Sequence, residues 1–544
     1  MEEAPAKRPR MESTAINRKI FEQKYAVRDA IRTSEPYKHG VIHDLIDDSV
    51  LRAARAEILQ KVHFTEKETD IYKVNQTGDL ANLHLLDSSE QNLLPSLIKV
   101  KDALYSQEFR DFMSFTTDCG PLSASKQDLS INLYNRGCHL LNHDDVIGSR
   151  RVSFILYLTP PDDPWQPKWG GALRLFPTVK PGVPATDVTV VIPPQWNQMA
   201  YFKVQPGHSF HDVEEVYVDK ERLSISGWFH IPQENEPGYS PEACEDANMA
   251  TLNQLEQLSK SEEFEPSTEL ELIDPEIDEE AAKEYLLKFI KPDLIDRLDD
   301  LNEQFASQSM LQLTGFLNEK VHKQVVDAIE VDDLEPVPQN SRQVRAPWKV
   351  AKPSHIHRYM YLDEKSTVEK SEGFAAHYEL ESVRELLASV EFAWFIGKLC
   401  GLKIHSRKAI ARRFRPGIDY TLATANDEAA VEVTLSLTTS VWRDDFGGYD
   451  LIMAPDESDG ADPAVYRSSD DNDVLLTSLP GDNELTIVYR EPGLLRFIKY
   501  VSRNAGGSRW DVHGVYGVEE DDQDAGNDDD NDEEEGEQEA VCEA

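Results

Sequence analysis

Two short stretches of the chain hold residue types that bind metal ions. In CHLLNHDDV, His143 and Asp145 stand two apart, which in an extended strand sends both side chains from one face. A third donor is available further on in PGHSFHDV, where His208 and His211 compete. Two imidazoles and one carboxylate on one face leave three positions open, a donor set suited to iron(II) that must also bind a co-substrate and dioxygen. Eleven residues past His211, Arg222 enters the run RLSISGW. Its guanidinium fork matches a planar carboxylate, such as the far end of 2-oxoglutarate, as a lysine point charge does not. Ser224 shares the face of Arg222, and Tyr134 and Tyr157 lie on strands flanking the pair, where they offer phenolic donors. Each signal is weak alone. With 15 His and abundant Asp, an HxD triplet is expected about once by chance. Each tyrosine taken singly reads more readily as core packing.

These residues need strands to hold them. RVSFILYL, QMAYFKV and RLSISGWFH are short, β-branched or aromatic, and bounded by Gly, Pro and Asp, as antiparallel strands are. Val50, Leu51, Ala54 and Ile58 form one helical face within Ser49 to Val62, and Leu294, Leu298, Leu301 and Phe305 predict a second amphipathic helix.

The strand-rich parts repeat. YNRG (Tyr134 to Gly137) is echoed by FRPG (Phe414 to Gly417), and RVSFILYLT followed by KWGGALRLF is echoed by VEVTLSLTT followed by DFGGYDLIM. VQPGHSFHDV then matches YREPGLLRFI, and RLSISGWFH matches SRWDVHGVY. The expected fold is α+β, mainly β: two tandem double-stranded β-helix (jelly-roll or cupin-like) domains with flanking helices, the first catalytic and the second metal-free. In the second copy the ligand positions fall within Ala423 to Asn426 and near Phe497, so no triad can form there. Arg509 matches Arg222 and reads as a structural ion-pair residue.

The expected boundaries are a disordered basic N-terminus (1–30), a catalytic domain (31–233), an acidic linker (234–280), a non-catalytic β-helix domain with a helical insert (281–517) and a disordered acidic tail (518–544). At 544 residues, two large domains plus tails suit the length. The net charge of −44 is only partly due to the fifteen acidic residues after Gly517, so acidity belongs to the whole chain. Such a field repels phosphate backbones and favours basic protein partners, so direct nucleic-acid binding is not expected. No apolar run is long enough for a transmembrane helix, and no membrane role is expected. The start MEEAPAKRPRM lacks the apolar core of a secretory signal, which points to an intracellular protein, and Lys7, Arg8 and Arg10 form a candidate nuclear import signal. The five scattered cysteines suggest neither a disulfide framework nor a thiolate metal site.

FTEKETDIYKVNQTGDL (Phe64 to Leu80), LYNRGCHLLNHDD, KWGGALRLF, SFHDVEEV, RLSISGWFH and RRFRPGIDYTL give the chain a specific likeness. It resembles the eukaryotic 2-oxoglutarate-dependent prolyl hydroxylases that modify a decoding-centre proline in a small-subunit ribosomal protein of the S-twelve family, over nearly the whole folded chain. The resemblance implies iron(II) held by His143, Asp145 and His211, 2-oxoglutarate held by Arg222 with Tyr134 and Tyr157, and dioxygen as oxidant with ascorbate as reductant. It favours His211 over His208. It also implies a small-subunit ribosomal protein as substrate, translation-termination or mRNA-associated proteins as further partners, an influence on translation accuracy, and residence in nucleus and cytoplasm. Two other readings stand beside it: an oxygen-sensitive adaptor that acts without catalysis, and the same chemistry on lysine or a methylated base.

Overall fold

The helical face over Val50 to Ile58 forms because Asp47 caps it, its carboxylate accepting from the backbone N–H groups of Ser49 and Val50. The helix runs Asp48–Lys61 and buries Leu51, Ala54 and Ile58. Helix Pro95–Leu104 lies beside it, helix Gln107–Thr117 follows, and the three cover one face of a large antiparallel sheet through Leu97, Phe109, Phe154 and Leu223. This computed structural model describes residues 15–78, 80, 91–145, 148–242, 264–267, 269–273, 277–363, 375–424, 428–439, 442, 446–452 and 474–519.

The first unit contains strands β1 (His39–His43), β2 (Tyr72–Gln76), β3 (Gln127–Tyr134), β4 (His139–His143), β5 (Arg150–Tyr157), β6 (Leu173–Leu175), β7 (Gln198–Lys203), β8 (His211–Val213) and β9 (Arg222–His230). They curl into one antiparallel sheet in the order β1-β7-β5-β9-β3-β2-β4-β8-β6. The second unit contains β10 (Met310–Thr314), β11 (Ile404–Phe414), β12 (Tyr420–Thr424), β13 (Ala430–Leu437), β14 (Tyr449–Ile452), β15 (Asp482–Arg490), β16 (Leu495–Ile498) and β17 (Arg509–Val518). Its orders, β10-β15-β13-β17-β11 and β12-β16-β14, reproduce those of β1-β7-β5-β9-β3 and β4-β8-β6 strand for strand. The repeat in the sequence is therefore a repeat of topology. Helices Ala375–Leu387 and Val390–Cys400 cover the larger sheet of the second unit, as the three helices do in the first.

Three expectations need correction. Residues 15–30 are not a disordered terminus: Lys19–Glu22 and Lys24–Arg32 are helical, and Ile16, Ile20 and Ile31 are buried in the first core. Their apolar residues are sparse but recur on one side, and the folded surface beneath them supplies the contacts. The single helix expected from Leu294 to Phe305 is two, Pro292–Asp296 and Leu298–Gln308, with Arg297 at φ −110° and ψ 20° between them. Both pieces still bury their apolar side in one core. The span 234–280 is not linker throughout. Glu236 accepts hydrogen bonds from the backbone of Gln233, Ala124 and Ser125, while Glu271–Leu272 pairs with β11. Residues 1–14, 243–263 and 520–544, with Lys7, Arg8, Arg10 and most of the acidic tail, lie outside the described residues. Among the described residues no helix is long and apolar enough to cross a membrane.

The units meet directly. Glu215 accepts from the Ser502 hydroxyl at 2.5 Å and the Arg503 backbone N–H at 2.8 Å. Tyr500 lies against the His139 ring at 4.3 Å, and Leu141 packs with Tyr420 and Tyr500.

Candidate metal centre and co-substrate pocket

Antiparallel pairing of β8 with β4 sets His211 directly opposite His143, and the ring centroids are 4.2 Å apart. The His143 Nδ1 lies 2.8 Å from the Leu141 carbonyl, and the His211 Nδ1 lies 3.0 Å from the Ser209 carbonyl. Donating Nδ1–H to these carbonyls leaves both Nε2 lone pairs free to point inward, the tautomer a metal requires. Asp145 closes the set, with Oδ1 3.4 Å from His143 Nε2 and Oδ2 3.6 Å from His211 Nε2. One ligand atom from each of the three residues lies within 4.8 Å of the others, the sole such His/Cys/Asp/Glu cluster among the described residues.

The expectation that His143 and Asp145 share one strand face is corrected here. Strand β4 ends at His143, and Asp145 has φ +59°, in the left-handed region. The chain turns back on itself, and the turn rather than the pleat brings the carboxylate inward. Asp and Asn tolerate this conformation better than most side chains. His208 is not part of the centre: its Nδ1 is 3.3 Å from the Thr178 hydroxyl.

Burial alone would raise the Asp145 pKa, but the His211 and His143 rings outweigh it and hold the carboxyl well below its ordinary range. Burial, with repulsion from His143, pushes His211 down to about 4. Burial also acts to lower His143, but its hydrogen bond and charge interaction with Asp145 prevail and raise it. The Trp228 indole donates to Asp145 Oδ2 at 3.1 Å, and the Arg150 guanidinium lies 3.7 Å from the Trp228 ring centroid. Trp228 had no assigned role in the sequence reading. The signal was its even spacing from Arg222 on β9, which puts both on one face.

Arg222 sits opposite Tyr134 in the β9–β3 pairing, and its guanidinium carbon lies 4.6 Å from the Tyr134 ring centroid and 5.1 Å from that of Tyr157. Its Nε donates to the Gly171 carbonyl at 2.6 Å, which fixes the plane of the fork. Gly171 is required there: at φ +73°, an added Cβ would lie 2.9 Å from Arg222 Cδ. The Arg222 Nη2 and the Tyr157 hydroxyl are both buried without a hydrogen-bond partner. Burial raises the Tyr157 pKa despite the nearby guanidinium, so the phenol keeps its proton and can donate it. Two buried donors without acceptors are costly unless a ligand supplies one. Ser224 is buried beside them, paired across the sheet with Asn132 and Tyr157. The donor set fits iron(II), and the orphan donors fit the far carboxylate of 2-oxoglutarate.

Among the described residues the second unit keeps the frame without a metal-ligand cluster, and residues 425–427, where part of the expected ligand positions fall, lie outside them. The Arg509 Nη1 donates to the Gly447 carbonyl, as Arg222 does to Gly171, but its Nε donates to Asp511 at 3.1 Å. Arg412 also pairs with Asp511 and Arg490 pairs with Glu432, each at 2.6 Å, so ion pairs fill the interior.

Residues 129–230 match the 2OG-Fe(II) oxygenase superfamily, and residues 281–524 match a family described as oxoglutarate and iron-dependent oxygenase degradation C-term. The chain is 33% identical over 502 residues to prolyl 3,4-dihydroxylase OGFOD1 of Ostreococcus tauri, covering 88% of this chain and 94% of that one. It is 26% identical to prolyl 3-hydroxylase sudestada1 of Drosophila melanogaster, covering 87% and 81% respectively. It is also 26% identical to prolyl 3-hydroxylase OGFOD1 of Mus musculus, covering 87% and 85%.

Proposed function

The chain belongs to the family of 2-oxoglutarate- and iron(II)-dependent oxygenases that includes the OGFOD1 prolyl hydroxylases, and from this premise we propose that it hydroxylates a prolyl residue of a small-subunit ribosomal protein at the decoding centre. The observation that carries the reading is the meeting of His143, Asp145 and His211 beside a buried arginine and tyrosine whose donors lack acceptors.

His143 Nε2, the Asp145 carboxylate and His211 Nε2 would hold the iron, and Arg222 with Tyr157 would bind the far carboxylate of 2-oxoglutarate. When bound, iron and 2-oxoglutarate supply the oxidising power that places one atom of dioxygen in a C–H bond and the other in succinate, with release of carbon dioxide. The protein's own part is positional. The Leu141 and Ser209 carbonyls hold the imidazoles, Trp228 holds the carboxylate, and Phe202, 4.6 Å from the His211 ring, helps to keep water away. The acidic chain would draw in a basic ribosomal protein at long range. Ascorbate would serve as reductant, and nucleus and cytoplasm are the compartments in which such a substrate is met.

Mass spectrometry of a decoding-centre loop peptide, incubated with the protein, iron(II), ascorbate and 2-oxoglutarate, tests this reading. The expected result is a gain of oxygen on proline that disappears in His143→Ala and Asp145→Ala. One added oxygen or two would separate the 3-hydroxylase and 3,4-dihydroxylase outcomes. Succinate formation without a modified peptide would discard the substrate and keep the chemistry. Normal 2-oxoglutarate turnover by both variants would remove the metal assignment.

A further inference from the structure

Between the two units lies a cavity of about 430 Å³, within the range of small-molecule sites. Its first-unit wall includes Arg174, Glu214 and Tyr217, and its second-unit wall includes Asn340, Arg358 and Arg503. Pairing of β6 with β8 sets Leu175 opposite His211 and Arg174 opposite Asp212. Side chains alternate across a strand, so the cavity lies on the reverse face of the strand that carries the third metal ligand.

The guanidinium groups here are not equivalent. Arg174 forms a two-point pair with Asp212, both contacts at 2.7 Å, and Arg415, which precedes the lining residue Pro416 but does not itself line the cavity, pairs with Asp419 at 2.7 and 2.8 Å. Arg503 rests over the Tyr217 ring at 4.6 Å. Arg358, on the short strand His357–Arg358, is only 9% exposed, has no ion pair or side-chain hydrogen bond among the described residues, and has a buried Nε with no acceptor. Burial lowers its pKa, but an arginine keeps its proton in proteins, so the charge remains. A buried, uncompensated guanidinium is costly, and an oxyanion is the partner it fits best. The Asn340 Oδ1 is buried without a donor as well. It calls for a hydroxyl or N–H on the same ligand.

We propose that this cavity is a binding site, separate from the metal centre, for a small organic oxyanion that engages Arg358 through a carboxylate or phosphate and Asn340 through a hydroxyl. Glu214 and Asp187 also line the cavity and disfavour a highly charged ligand such as a polyphosphate. Its volume exceeds what a bare inorganic ion would fill.

The test is calorimetric titration of the full chain with iron(II) and saturating 2-oxoglutarate under nitrogen, so that the catalytic pocket is filled. 3-Hydroxybutyrate and glycerol 2-phosphate, at matched ionic strength, are the carboxylate and phosphate probes. Saturable binding of one equivalent of either supports the site and assigns its chemistry, provided that Arg358→Met weakens it about tenfold or more. Absence of binding by both at millimolar concentration, or equal affinity in the variant, overturns the proposal. If Arg358→Met does not fold, wild-type crystals soaked in 3-bromobenzoate, a carboxylate whose aryl bromine protein nucleophiles do not displace, decide the matter: anomalous bromine density beside Arg358 supports the site, and its absence overturns it.

Discussion

At the scale of single residues, the centre depends on groups that do not themselves bind the metal. Trp228 donates to the Asp145 oxygen that faces His211, and Asp145 is held in a left-handed turn rather than by a strand. Trp228→Phe should fold normally yet bind iron(II) about 10- to 100-fold more weakly, as expected when a group that orients a ligand is lost. Equilibrium dialysis or competition with a chelator would measure this, and unchanged affinity would show that the turn alone positions the carboxylate. The ligand types were legible from HxD and the later histidine, but their geometry was not. Spacing of two reads as a strand face, whereas the structure ends the strand at His143 and turns. Nor could spacing choose between His208 and His211. The β8–β4 register makes that choice by setting His211 against His143.

At the scale of elements, the metal-bearing strands lean on the second unit. Glu215, four residues after His211, takes the Ser502 hydroxyl and the Arg503 N–H, while Leu141 and His139 of β4 pack on Tyr500. Burial raises the Glu215 pKa, and its hydrogen bonds act in the opposite direction without cancelling the rise. Glu215→Ala would strand two donors at the interface and should cost about 1–3 kcal/mol of stability. A thermal melt would record this, and an unchanged melting temperature would mean that the interface is wet and weakly coupled. The helices and strands here were largely legible because their apolar periodicity was strong. The N-terminal helices were missed because their buried residues, Ile20 and Ile31, stand far apart among charged ones and find a partner only once a surface exists beneath them.

At the scale of the whole molecule, a duplicated fold serves one reaction centre. Elemental analysis of the iron-loaded chain should give one iron per chain, since ion pairs fill the interior of the second unit. Two per chain would contradict that account. The contact between units also carries a pH dependence. His355, in the second unit, is buried with its ring 5.4 Å from Phe210 of the first, and burial pushes its pKa down to about 4. A histidine with a folded pKa below its unfolded value of about 6.5 stabilises fully above that value and progressively less as the pH falls towards 4. The loss at pH 5 is about 2 kcal/mol. Melting curves between pH 7 and pH 5 should show this part of the decline disappear in His355→Phe. An identical decline in the variant would assign the acid sensitivity to other groups.

What the sequence determined alone is chemical and periodic. The donor types, the arginine that suits a carboxylate, the duplicated pattern and the absence of ligands in the second copy are local features, and local features survive in a linear string. What only the tertiary structure decided is convergence. The Trp228 hydrogen bond to Asp145, the pairing of His211 with His143, the Gly171 carbonyl that aims Arg222 and the cavity around Arg358 each join segments far apart in the chain. Their geometry comes from sheet register and domain packing, which follow from the balance of many distant contacts rather than from any one spacing.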